Sequence, residues 1–151
     1  MREILFRGKR VDNGEWIFGD LLHDRFIMSN ETICQIYDMN SNLTHRENII
    51  LPETIGQYTG LTDKNGKKIF EGDYWLDTDG DYLVYVVEFR YGEFGFACYG
   101  WQGALMPYGF DEDAGGWGEI DFDPITNYNI DTIEVIGNIH DNPELLKGGA
   151  E

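Results

Sequence analysis

Short runs rich in β-branched and aromatic residues, punctuated by Gly, Asn and Asp, recur along the chain and predict a succession of strands. Residues 4–11 and 15–22 flank Asp12-Asn13-Gly14, and Asn-Gly supplies the positive-φ positions of a tight hairpin. A second hairpin joins residues 25–28 to 32–37 through Ser29-Asn30-Glu31, and the polar, aperiodic residues 38–48 read as a surface loop. Residues 53–61 predict a strand that turns at Asp63-Lys64-Asn65-Gly66 and returns as Lys67-Lys68-Ile69-Phe70. The chain then bends at Glu71-Gly72-Asp73 into Tyr74-Trp75-Leu76.

The strongest strand spans residues 82–91, where Leu83-Val84-Tyr85-Val86-Val87 is almost continuously apolar. Such a run suits a strand covered on both faces. Gly92-Glu93 turns it into residues 94–99, whereas residues 100–128 are rich in Gly, Asp and aromatics and show no period. They read as a long acidic and aromatic loop, a kind of segment that often carries function. A strand over residues 131–139 follows. Asn142 then caps a short helix with Pro143 in its first turn, running to Leu146, and residues 147–151 form a frayed tail.

The expected fold is mainly β: a small SH3-like barrel or barrel-like antiparallel sheets with one short C-terminal helix, an α+β arrangement being the alternative. Nineteen glycines against four alanines favour turns over helices. At 151 residues the chain fits a single domain over 1–151 with a core of its own.

Charge narrows the partners. The formal net charge is -17, and it is unevenly spread. Up to Trp75 nine Lys/Arg face twelve Asp/Glu; from Leu76 onward Arg90 and Lys147 face sixteen. Such a surface repels nucleic acid and anionic membrane and attracts cations or a basic protein. Cys34 and Cys98 lie in apolar, strand-like surroundings, as buried free thiols do. Met1-Arg2-Glu3 leads straight into a strand pattern, and no run approaches the roughly 18 apolar residues of a membrane helix. The expected compartment is the cytoplasm of a bacterial host cell.

Three segments carry a resemblance. Leu51-Pro52-Glu53-Thr54-Ile55-Gly56-Gln57-Tyr58-Thr59-Gly60-Leu61-Thr62-Asp63-Lys64-Asn65-Gly66-Lys67-Lys68-Ile69-Phe70-Glu71-Gly72-Asp73 resembles the signature of the YopX family, small proteins of phages and integrated prophages. Glu134-Val135-Ile136-Gly137-Asn138-Ile139-His140-Asp141-Asn142-Pro143-Glu144-Leu145-Leu146 is similar to that family's closing segment, and Arg2-Glu3-Ile4-Leu5-Phe6-Arg7 to its opening. The resemblance implies a phage or prophage origin and a mainly β structure. It implies no activity and no catalytic residues. Asp63-Lys64-Asn65-Gly66 is in any case turn chemistry.

Candidate chemistry is sparse. Asp77, Asp79, Asp81 and Glu88 stand at positions 1, 3, 5 and 12 of a calcium-loop spacing, but Tyr82 occupies the position that must be Gly. A solvated turn explains these acids as well. Glu119, Asp121 and Asp123 share one face if that segment is extended; without a nearby Lys, Arg or His they read as a solvated acidic face rather than a metal site. His23, His45 and His140 have no metal-ligand spacing with either cysteine, and no nucleophile elbow or phosphate-cradling loop is present.

The expected function is therefore non-catalytic, with no cofactor and no metal: a protein-binding or assembly domain. Its recognition surface would comprise Trp101, Tyr108, Phe110, Asp111, Glu112, Asp113, Trp117, Glu119, Asp121 and Asp123, because hot spots favour Trp and Tyr. The partner would be an unidentified, basic protein, with self-association through exposed strand edges giving a homo-oligomer. Direct nucleic-acid or membrane binding is not expected. One rival is an acidic nucleic-acid mimic that inhibits a host DNA-binding protein. Matching a duplex over roughly 30 Å takes about 18 charges, so the carboxylates would have to lie on one face. The other rival is a metal-dependent phosphoesterase whose acidic clusters converge in a pocket.

Overall fold

The computed structural model describes residues 3–25, 32–77, 83–101 and 117–143, with backbone only at 24, 25, 32, 101, 117 and 118. The chain packs as two compact units, Met1–Gly60 and Leu61–Glu151. Two five-stranded antiparallel sheets account for the strands, in the orders β3-β2-β1-β4-β5 and β10-β6-β7-β8-β9.

In the first unit β1 (Phe6–Lys9) lies between β2 (Trp16–Arg25) and β4 (Gly56–Thr62), and β3 (Thr32–Tyr37) pairs with β2 from Asp20 to Arg25. The first expected hairpin is present; β2 and β3 pair as a second hairpin would, but β2 runs unbroken to Arg25, and most of the expected strand 25–28 and the expected turn 29–31 lie outside the described residues. The first has its loop clasped from within: buried Arg10 donates through Nε and Nη2 to Asp12 at 2.9 and 2.6 Å, with Glu47 at 3.4 Å. Cys34, Ile36 and Ile50 form the core here, with Phe6, Ile17, Leu21 and Ile55 packed around them. The polar segment 38–48 is a loop as expected, yet it is tied down at its end. Asn48 accepts the Ile36 N–H at 3.0 Å, and Ile49 and Ile50 bridge to Gln35 and Arg10.

In the second unit β5 (Lys68–Phe70) and β6 (Asp73–Leu76) are followed by the hairpins of β7 (Val84–Arg90), β8 (Glu93–Trp101) and β9 (Trp117–Pro124). The expectation of a strand buried on both faces holds at β7. Val87 joins Ile69, Phe96, Ile125, Ile133 and Val135 on one side; Val84 and Val86 join Tyr74 on the other. Each such side chain stabilises the fold by about 1.5–3 kcal/mol. The β7–β8 turn is Tyr91-Gly92 rather than Gly92-Glu93, since Arg90 pairs with Glu93. Both turn residues have positive φ, 54° and 81°, as a two-residue primed turn demands, and Gly92 carries its share without a Cβ penalty.

Three sequence expectations are corrected. No closed barrel forms: closure would need β10 (Gly137–Asn138) to meet β9, and this two-residue strand pairs with β6. Residues 131–139 are not one strand. The Asn129 side chain accepts the Asp131 N–H, the Thr132 hydroxyl donates to the Asn129 carbonyl, and a 3-10 turn results at Ile130–Thr132; these local bonds outcompete a sheet ladder. Residues 100–128 are not one loop either, because β9 runs through 117–124. Among the described residues there is no α-helix, which removes the α+β alternative there. The expected helix over 142–146 lies mostly outside the described residues.

One turn organises the second unit. Asp63, 4% exposed, accepts the N–H groups of Asn65 at 2.9 Å, Lys67 at 3.0 Å and Val135 at 3.0 Å. The Lys64 N–H donates to the Ile133 carbonyl at 2.9 Å, and the Lys64 ammonium lies 3.3 Å from Glu134. The Ile139 N–H donates to the Gly72 carbonyl at 2.9 Å, and Gly137 pairs with Tyr74 so closely that a Cβ there would lie 2.7 Å from the Tyr74 hydroxyl. The signature and closing segments named above are thus two halves of one hydrogen-bonded junction.

Burial alone would raise the Asp63 carboxyl, but the three N–H donors and the Lys67 charge outweigh it and hold the group below the usual carboxylate range. Its contribution is complete above the unfolded value of about 3.9 and is lost as pH falls through the lower folded value. Asp63→Ala leaves buried N–H groups without an acceptor and costs roughly 3 kcal/mol, read as a lower urea midpoint. Asp63→Asn flattens the acid limb of stability below about pH 4. Gly137→Ala costs about 1–3 kcal/mol by overpacking against Tyr74; a melting temperature unchanged in that variant would contradict the close pairing.

Candidate functional site

The sequence-predicted surface divides three ways. Tyr108, Phe110, Asp111, Glu112 and Asp113 lie outside the described residues. Trp101 ends β8 and Trp117 opens β9, and the two are cross-strand partners. Glu119, Asp121 and Asp123 lie within β9.

Those three acids do not share a face. Asp123 opposes Phe96 and Asp121 opposes Cys98, but the next pair is Tyr99 with Glu119, so Ile120 is an extra residue on β9. A bulge of this kind reverses the alternation beyond it. Asp121 and Asp123 sit on the face of Tyr85, Phe96 and Cys98; Glu119 sits on the face of Tyr99 and Phe122.

On the Glu119 face one cation is shared among acids. Arg90, the sole Lys or Arg between residues 76 and 146, pairs with both Glu88 and Glu119 and lies 5.0 Å over the Phe122 ring. Its guanidinium is held above its ordinary range, first by the Glu119 hydrogen bond. Glu88 is thereby engaged in β7, which corrects the calcium-loop alternative in which it would close the site. Among the described residues no group of three His, Cys, Asp or Glu side chains could hold a metal ion.

On the Asp121 face, Trp75 and Tyr85 stack with centroids 4.1 Å apart and planes 8° from parallel, and Tyr128 stands edge-on to both. The Tyr128 hydroxyl donates to Asp123 at 3.3 Å and is pushed up to about 12 by burial and then by the Asp123 charge. Burial also pushes the Cys98 thiol up; a hydrogen bond with Tyr85 opposes this, and the charges of Asp121, Asp123 and Asp77 add to the rise. A thiol so placed stays protonated and is a poor nucleophile.

The turn end of β7–β8 carries aromatics that sequence reasoning missed. Phe89 is 51% exposed and Tyr91 is 91% exposed. Phe89 packs edge-on against Phe94 at 5.0 Å, and Tyr91 meets Phe122 at 6.4 Å. The acids Glu88, Glu93, Glu119, Asp121 and Asp123 lie on the same three strands. The signal was available in the turn: once Tyr91-Gly92 closes the hairpin, Phe89 and Tyr91 fall at its tip, where little is left to cover them.

Among the described residues, no helix is long and apolar enough to cross a membrane. No curated protein matches the chain. Among solved structures, the crystal structure of protein EF1440 from Enterococcus faecalis aligns with 97% of this chain and 99% of that one, at 21% identity and a TM-score of 0.46. The family model described as YopX protein matches residues 5–147, nearly the whole length, and the chain belongs to the YopX family.

Proposed function

We propose that the protein is a non-catalytic binding domain, of phage or prophage origin, that engages a basic protein partner through the tip of the β7–β8–β9 sheet. The observation that carries this reading is the pairing of exposed aromatics with acids: Phe89 and Tyr91 are exposed at the turn of three strands that carry five carboxylates, and Arg90, the one Lys or Arg described on those strands, is already held by two of them. Aromatic anchors ringed by charge are the composition of an interface hot spot with electrostatic steering. The separation of Glu119 from Asp121 and Asp123 supports recognition over phosphoester hydrolysis, which needs carboxylates converging on a metal. The same separation supports a protein partner over nucleic-acid mimicry, which needs carboxylates aligned on one face.

Edge-to-edge self-pairing along β9 is the less favoured mode of association. Its Phe122 N–H is taken by the Asp121 carboxylate at 2.8 Å, Ile120 bulges, and Pro124 ends the strand. Each of these blunts an edge.

Pull-downs from host lysate with the wild type and with a Phe89→Ser, Tyr91→Ser double variant test the proposal. Both positions are exposed, so the variant folds. The captured protein is expected to be basic, to elute with rising salt, and to bind the variant about 30-fold more weakly, a loss of roughly 2 kcal/mol. Capture indifferent to both salt and substitution contradicts the proposal.

A further inference from the structure

The first unit holds a second recognition element. β3 accompanies β2 only from Asp20 onward, so at Trp16–Gly19 the strand has β1 on one side and no β3 on the other. There the segment 38–48 and β2 flank a half-open cavity of about 210 Å³, with Phe18, Ile36, Leu43, Asp38, Ser41 and Asn48 in its lining. Small-molecule sites run to roughly 300–1,000 Å³. This one has the size for a single long side chain.

Its polar end is specific. Asn48 is 8% exposed and lines the cavity. The Asn48 amide meets solvent through the cavity mouth, where a bound polar group can take the place of water. Ser41 accepts the Leu43 N–H at 3.1 Å, and Asp38 accepts the Asn40 N–H at 2.9 Å with one carboxylate oxygen. Asp38, Ser41 and Asn48 can all accept hydrogen bonds, and the lining contains an acid but no Lys, Arg or His. Apolar walls with an accepting, anionic end match an alkyl stem that carries several donors and a positive charge.

We propose that this cavity receives the side chain of an arginine from a protein partner. The methylenes run along Phe18, Ile36 and Leu43, and the guanidinium donates to the Asn48 side-chain oxygen and the Asp38 carboxylate. Identifying the source as a protein rests on the basic-partner reading above; the cavity's preference for the guanidinium does not.

Titration of the labelled full chain with Nα-acetyl-arginine methylamide, followed by NMR, reads the site directly. The neutral citrulline analogue and the leucine analogue serve as comparison probes. Saturable shifts are expected at the Asn48 side-chain amide and at residues 38–43, with the citrulline probe at least about threefold weaker. Asp38→Asn, at an exposed side chain, reduces the arginine preference by about threefold. The Phe89→Ser, Tyr91→Ser variant retains the titration unchanged. Equal binding of all three probes, or no saturable shift at the cavity, overturns the proposal. Shifts confined to residues 88–94 overturn the cavity while leaving the tip reading intact, and a titrating cavity beside a tip variant that still captures the partner does the reverse.

Discussion

A single carboxylate ties together the two most distinctive stretches of this chain. Asp63 gathers N–H groups from its own turn and from Val135, seventy-two residues further on. The bond to Val135 draws a segment without regular structure onto the sheet, where Ile133 and Val135 complete the core beneath Val87 and Phe96. Asp73 repeats the device at the next bend, taking the Phe70 N–H at 2.8 Å from a fully buried position. Buried acids are costly unless several donors surround them, so a chain that places two in adjacent turns commits those turns to one geometry. The family signature is explained by this junction without reference to a ligand.

That division of labour leaves the β7–β8 turn and β9 available for recognition. The junction fixes β5, β6 and β10, and β6 in turn sets the register of β7. The β7–β8 hairpin and β9 extend from that base, and they carry the exposed aromatics and five of the described acids of the second unit. Carboxylates gathered on a few strands repel one another. Arg90 relieves part of this by bridging Glu88 and Glu119, and the bulge at Ile120 relieves more by sending Asp121 and Asp123 to the other face. Charge density at the tip is thus accommodated by the scaffold rather than avoided.

Much of the scaffold was legible in the sequence. Asn13-Gly14, Asp63-Lys64-Asn65-Gly66 and the apolar run in β7 announce two turns and a central strand by their own chemistry. What stayed hidden depends on contacts distant in sequence. Glu119-Ile120-Asp121-Phe122-Asp123 alternates as a strand should, but its glycine-rich surroundings conceal it, and nothing local indicates that Ile120 is supernumerary. Residues 131–139 read as a strand because Ile133, Val135 and Ile139 are apolar, whereas Asn129 and the Asp63 junction dictate a different path. Of the candidate surface, its acidic and aromatic character was readable; the exposure of Phe89 and Tyr91 was signalled only by the placement of the turn, since β-branched and aromatic residues in a strong strand signal burial equally well.

The central claim is that the tip of the β7–β8–β9 sheet is a binding surface on a rigid base. Hydrogen exchange of the chain alone and in complex with its captured partner tests this most directly. Slowed exchange concentrated in residues 88–94 and 119–123, with the Asp63 junction already protected in the free protein, is the predicted pattern. Protection on binding that appears elsewhere and spares these residues would contradict it.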